Sequence, residues 1–143
     1  MKRVKTIGFV VLVLMTIWIP RSVLAANAVV GNGTPASCTE AAFDSALNTA
    51  SNGGGTIIFN CGPNPVTIAF SIAKIVTLGN VTINGGGRIV LQAGNNERHF
   101  FVGPGITFRL QNITLRGGNA LVSGGALETS VATVILDKVQ LLN

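Results

Sequence analysis

Apolar residues along this chain recur in pairs, most clearly over Phe108–Gly117. Phe108 and Leu110 alternate with polar neighbours, as do Ile113 and Leu115, while the step between the two pairs is three residues, at Gln111-Asn112. Side chains of a strand point to opposite faces with a period of two. A slip of one therefore marks a corner at which both arms keep the same face inward. Asn is among the few residues that tolerate the left-handed backbone of a sharp corner. The stretch predicts strand, Asn112 corner, strand.

The unit repeats. Val76–Gly85 carries the same string, with Val76, Leu78, Val81 and Ile83 apolar and Asn80 in the corner place. Val134–Asn143 carries it with Lys138 at the corner, and a weaker copy upstream sets Thr56, Ile58 and Asn60 against Val76, Leu78 and Asn80. Successive copies thus begin at Thr56, Val76, Phe108 and Val134. One strand-built unit recurring at periods of roughly 20–50 residues is the mark of a solenoid. The fold class expected is all-β: a parallel β-solenoid filling residues 54–143, with Asn80 and Asn112 as structural corners.

Residues 37–53 follow a different rhythm. Ser37 and Glu40 have the spacing of a capping box, and Ala42, Phe43, Ala46, Leu47 and Ala50 form a narrow apolar stripe at helical spacing. Asn52-Gly53-Gly54-Gly55 stops the helix. Lying just before the first strand, Thr56–Asn60, it is placed to cap the open end of the solenoid. Residues 26–36 read as a lead-in without periodicity. Further strands are expected at Val66–Phe70, Ile72–Leu78, Arg88–Gln92, His99–Val102 and Ala126–Thr129. Leu141-Leu142-Asn143 stops inside a repeat, so the chain reads as a fragment of a longer solenoid, the alternative being an open end docked on a partner.

The beginning of the chain is of another kind. Met1-Lys2-Arg3-Val4-Lys5 is basic, Ile7–Ile19 is apolar apart from Gly8 and Thr16, and Val23-Leu24-Ala25 supplies small residues for cleavage. This order predicts a secretory signal peptide over residues 1–25, with cleavage after Ala25 or Ala28. The apolar run is short for a membrane span, which takes about 20 residues, so no span is expected once the leader is removed. The protein is expected to be secreted or at the cell surface.

Composition agrees with an all-β repeat: 48% hydrophobic, 10% charged and 18 glycines in 143 residues. The formal charge of +5 is carried by the leader, because beyond it six Lys and Arg stand against five Asp and Glu. Without a basic cluster a nucleic-acid partner is not expected. Cys38 and Cys61 are the only cysteines. In an exported chain an even count reads as a disulfide; a metal site lacks further ligands, since His99 is the only histidine.

Taken in order, Cys38, Ala42-Phe43-Asp44-Ser45-Ala46-Leu47, Gly54-Gly55-Thr56-Ile57-Ile58-Phe59-Asn60-Cys61, Thr82-Ile83-Asn84-Gly85-Gly86-Gly87 and Leu110-Gln111-Asn112-Ile113-Thr114-Leu115 resemble secreted bacterial right-handed parallel β-helix proteins. They look like the N-terminal cap and first coils of the pectate-lyase-like superfamily, which includes polysaccharide lyases, glycoside hydrolases and adhesins. The resemblance implies a right-handed helix and places Asn60, Asn80 and Asn112 near stacked turns, where their side chains hydrogen-bond between coils. Asn32, Asn80 and Asn112 also head Asn-x-Thr sequons; in a bacterial protein the last two are better read as corner residues.

Chemistry is sparse. A lyase of the pectate type would cluster carboxylates around Ca²⁺, which takes six to eight oxygens, and the chain beyond the leader offers only Glu40, Asp44, Glu97, Glu128 and Asp137. Glu40 and Asp44 suit the start of the helix. Glu128 and Asp137 are the one pair placed to approach across the last coil, and two acids are the minimum for glycoside hydrolysis. His99 beside Glu97 heads an apolar run and reads as structural. Arg109 and Arg116 face solvent, where a planar guanidinium suits a sugar carboxylate. No catalytic residue, metal or cofactor is assigned. The function expected is an exported or cell-surface scaffold, structural, adhesive or contacting a polysaccharide or cell-surface glycan, and joined to further coils of its own full-length chain. The alternative is the N-terminal part of a polysaccharide lyase or glycoside hydrolase whose active site lies in later coils.

Overall fold

A computed structural model describes residues 25–94, 96–121 and 123–143; the leader expected over residues 1–25 lies, but for Ala25, outside them. Among the described residues the fold is mostly β, with one α-helix. The strands in chain order are β1 (Ala28–Val30), β2 (Gly55–Phe59), β3 (Val66–Phe70), β4 (Lys74–Val76), β5 (Val81–Asn84), β6 (Ile89–Ala93), β7 (Phe100–Val102), β8 (Thr107–Arg116), β9 (Leu127–Thr129) and β10 (Thr133–Leu142). The helix α1 spans Glu40–Gly53.

Every strand pairing is parallel. The larger sheet has seven strands, and β4, β7 and β9 form a second sheet. The larger sheet curls because β8 takes two different partners, β5 along its first half and β6 along its second. Asn112 stands at the break between them with φ 48°, and Lys138 stands at the matching place in β10 with φ 53°. The left-handed corner read from the Phe108–Gly117 pattern is therefore present in both copies. The partners Val134↔Phe108 and Leu142↔Arg116 keep one register across the bend, the register in which the two copies align by sequence.

The other two copies pair differently from the sequence expectation. Phe108 lies opposite Val81, where the repeat predicted Val76, and Gln111 lies opposite Asn84. Thr56 lies opposite Thr82, where the repeat again predicted Val76. Asn80 is thus not the counterpart of Asn112. It closes a bend between two sheets without left-handed backbone, and its Oδ1 accepts the Thr107 N–H at 2.7 Å. The second copy joined two strands of different sheets across Gly79-Asn80, and alternation alone does not separate that from one bent strand.

The inward faces follow the pattern. Val81, Ile83, Ile89, Leu91, Phe108, Leu110, Ile113 and Leu115 are buried, each contributing about 1.5–3 kcal/mol by leaving water. An aromatic chain runs through this interior: Phe43 of α1 lies 4.9 Å from the Phe70 ring, Phe70 lies 6.0 Å from Phe100, and Phe100 lies 5.0 Å from Phe108.

Two further expectations are corrected. Residues 26–36 include the strand β1, in register with β2, too short to show a period. The helix is capped by Thr39, whose hydroxyl accepts the Ala42 N–H at 3.2 Å. Ser37 instead donates to the Thr34 carbonyl at 2.6 Å and accepts the Asn32 N–H, which frees Glu40 for the contacts below. Cys38 and Cys61 form a disulfide, with Cα atoms 5.7 Å apart. Gly31 lets it close: at φ 86° any Cβ there would lie 2.4 Å from the Cys38 sulfur.

Candidate carbohydrate-contacting face

The outward residues of β3, β6, β8 and β10 fall into rows across the strands. Register aligns Ala69, Gln92, Arg116 and Leu142 in one row and Thr67, Val90, Thr114 and Gln140 in the next. Neighbouring strands lie about 4.8 Å apart, so one long side chain reaches across several. Arg116 does this: its Nη2 donates to Gln92 Oε1 at 3.2 Å and to Thr67 Oγ1 at 3.3 Å. One row over, the Thr114 hydroxyl donates to Gln140 Oε1 at 3.4 Å. At the corner a concavity of ≈ 180 Å³ is lined by Gly87, Asn112, Ile113, Thr114, Lys138 and Gln140.

Among the described residues the ion pairs are those of Lys74 with Glu40 and Asp44 and of Arg98 with Glu128. Arg116 and Lys138 therefore carry charge that no carboxylate of the described residues neutralises, on a face otherwise of hydroxyl and amide groups. The groups of this face are hydrogen-bond donors and acceptors, and a guanidinium can pair with a carboxylate through two N–H groups at once.

The other sequence candidates are dispersed. Glu128 sits in the smaller sheet and pairs with Arg98, whereas Asp137 sits in the larger sheet and accepts from Gln111 Nε2 at 3.4 Å. Arg109 lies between Thr82 and Ile135 on the other arm of β8. Among the described residues no group of three His, Cys, Asp or Glu is placed to hold a metal ion, and no helix is long and apolar enough to cross a membrane. A larger concavity of ≈ 320 Å³ between α1 and β4 is lined by Leu47, Ile72, Ile75 and Leu78, and its charged groups, Asp44 and Lys74, are spent on each other.

His99 is fully buried between strands. Its Nε2 lies 3.0 Å from the Leu91 carbonyl and 3.1 Å from the Arg116 carbonyl, and among the described residues Nδ1 has no hydrogen-bond partner. Gly118 packs over that nitrogen so closely that a Cβ there would lie 3.0 Å from it. Burial disfavours the imidazolium and holds the group below its ordinary value, although the surrounding carbonyls pull the other way. As a base toward a solution substrate it is out of reach.

The Lys74 cluster is not legible in the sequence. Lys74 is 4% exposed, with Nζ 2.6 Å from Glu40 Oε1 and 2.8 Å from Asp44 Oδ1, and it lies 4.8 Å from the Phe70 ring centre. Burial works to raise the Glu40 carboxyl, but the Lys74 ammonium with the Ser71 amide and hydroxyl outweighs it and holds the group below its ordinary value. The i, i+4 spacing of Glu40 and Asp44 on one helix face was the available signal. What it lacked was the cation, which comes from the start of β4, 34 residues beyond Glu40 and 30 beyond Asp44 along the chain.

Acid should weaken the fold in two windows. A histidine kept neutral by the fold stabilises fully above its unfolded value near pH 6.5, and the contribution falls away as pH drops below that. A carboxylate held low stabilises above its unfolded value near pH 4.3 and loses this as pH falls further. The thermal midpoint should decline from about pH 6.5 downward and again below about pH 4.3. His99→Gln should flatten the upper decline and Glu40→Gln the lower; an upper decline unchanged in His99→Gln would rule out this origin.

Comparison with protein-family models, with curated proteins and with solved structures finds no match.

Proposed function

We propose that this chain is the cap and first coils of a right-handed parallel β-helix, exported or displayed at a cell surface. It serves there as a scaffold that contacts polysaccharide or cell-surface glycan without a catalytic site of its own. The observation that carries the fold is the return of the chain to the same ladder at nearly constant intervals. Gly55 of β2 lies beside Val81 of β5, Val81 beside Phe108 of β8, and Phe108 beside Val134 of β10, in almost equal steps along the chain. Such returns stack like on like. The glycan reading rests on the outward network of Thr67, Gln92 and Arg116. Against an active site in these layers stands the separation of Glu128 from Asp137, each with another partner.

Export requires a leader cut, and cleavage after Ala25 is favoured over Ala28. Ala26 N–H bonds to the Gly54 carbonyl at 2.9 Å, Asn27 Oδ1 accepts the Thr56 N–H at 2.9 Å, and Ala28 is in register with Ile57. A cut after Ala28 discards all three. The intact mass of the exported chain reads the site directly, and a product beginning at Val29 would refute the choice.

Binding is tested by retention on insoluble polysaccharides and by glycan arrays. Arg116→Ala should reduce retention about tenfold or more, roughly the loss of one charge-assisted hydrogen bond. Release of unsaturated or reducing sugars from pectin with Ca²⁺, abolished by Glu128→Gln or Asp137→Asn, would overturn the non-catalytic reading.

A further inference from the structure

His99 meets, from the inside of the fold, the same strands that carry the outward network. The pairing of β6 with β8 ends at Gln92↔Arg116, and these two side chains join Thr67 on the outer face. On the inner side Nε2 of His99 lies 3.0 Å from the Leu91 carbonyl and 3.1 Å from the Arg116 carbonyl, with the Ala93 nitrogen at 3.2 Å. Two carbonyls against one amide place the ring hydrogen on Nε2. The imidazole thus ties β6 to β8 where their pairing ends, through the backbone of Arg116 itself. The other side of the ring is closed. A Cβ on Gly118 would stand 3.0 Å from Nδ1 and against the Gly125 carbonyl oxygen. Around the ring, β3 presents Phe70 and β7 presents Phe100, each with its ring centre 6.5 Å away, while β6 and β8 present backbone. Lys74 of β4 donates its backbone N–H to the His99 carbonyl, and its ammonium is held by Glu40 and Asp44. Arg98 pairs with Glu128, and the Arg116 guanidinium is turned out to Gln92 and Thr67. Among the described residues no carboxylate, that of neighbouring Glu97 included, pairs with the ring.

We propose that His99 is the positioning residue of the outward face, holding Arg116 where it meets Gln92 and Thr67, and that protonation of the ring releases Arg116. On the reading of this face as glycan-contacting, the contact then weakens in acid. An added proton puts a second N–H on Nδ1, on the side where the neutral ring has no hydrogen-bond partner among the described residues. A buried donor without an acceptor is costly, and the acceptor on that side is the Gly125 carbonyl. Turning Nδ1 toward it carries Nε2 off the Leu91 and Arg116 carbonyls. The tie between β6 and β8 is lost beneath Gln92 and Arg116, and the guanidinium loses its fixed distance to Gln92 and Thr67. Burial disfavours the charged ring, so the change falls below the ordinary histidine value near pH 6.5, and the contact is complete above it.

Retention on neutral insoluble polysaccharides (cellulose, chitin and mannan) tests this between about pH 7.5 and about pH 5, over the range in which the circular dichroism spectrum stays that of the folded protein. The wild type should lose about tenfold in retention toward the acid end and approach R116A, which should be low at every pH. Gln offers an amide N–H₂ near the place of Nε2 and takes up no proton, so retention of H99Q should not depend on pH. The ligand-free protein is followed in parallel by NMR. Its Arg116 Nε–H signal should move toward that of an unheld guanidinium with the same midpoint as the His99 ring, and should stay still in H99Q. A moving signal without retention on any polysaccharide would sink the glycan reading alone and support His99 as the positioning residue. An Arg116 signal that ignores the ring's titration would overturn the proposal. So would wild-type retention that is unchanged in acid, or H99Q losing retention in acid as the wild type does.

Discussion

Replacing Phe43 by alanine is expected to cost about 3–5 kcal/mol, the largest loss for any single side chain of the helix. The ring is fully buried and packs α1 against the strands, lying 4.9 Å from Phe70, 6.2 Å from Phe59 and 6.3 Å from Phe100. Those partners come from β3, β2 and β7, so alanine leaves a cavity walled by three separate strands that cannot collapse together. With total stabilities of about 5–15 kcal/mol for a domain of this size, the variant sits near the edge of folding. Urea unfolding followed by circular dichroism measures it. Phe43→Leu, which refills most of the volume, should recover more than half of the loss. A loss below about 1 kcal/mol in Phe43→Ala would mean that the helix is held chiefly by the Lys74 cluster.

The second large effect is at Cys38–Cys61. The bridge closes a sequence separation of 23 residues, for which the chain-entropy model gives about 3 kcal/mol. It acts where three things meet: Cys38 ends the turn before α1, Cys61 follows β2, and the Asn60 N–H bonds to the Val30 carbonyl of β1 at 2.8 Å. Cys38→Ser/Cys61→Ser should therefore lower the global unfolding free energy and also raise hydrogen exchange in β1 more than in β8. Reduction of the wild type with a thiol should reproduce both changes. Equal exchange in β1 before and after reduction would show that the bridge acts on the unfolded chain alone.

The two sites differed in how far the sequence exposed them. The cysteines were legible because there are two and residues 1–25 carry the order of residues expected of an export signal. Phe43 was legible as a member of an apolar stripe, but its three aromatic partners were not. The outward face was half legible. Arg109 and Arg116 both read as solvent-facing, yet only Arg116 reaches Gln92 and Thr67, because only register sets those three in adjacent rows. His99 reads as structural from its place at the head of an apolar run; its complete burial beside the Gly118 backbone does not follow from a polar flank of Glu97 and Arg98.

The amino-acid sequence by itself determined which side chains turn inward, where the helix lies, which cysteines pair and where the chain bends at Asn112 and Lys138. Each of these follows from interactions between near neighbours: the alternation of a strand, the periodicity of a helix, the steric limits of a left-handed residue. Only the tertiary structure decided the register, moving the counterpart of Phe108 to Val81, and with it the capture of Lys74 by Glu40 and Asp44 and the recruitment of β1. Those depend on hydrogen bonds and charges brought together from positions far apart along the chain. Their free energy is absent from any short window of sequence, and several alignments of the same apolar string satisfy the local rules equally well.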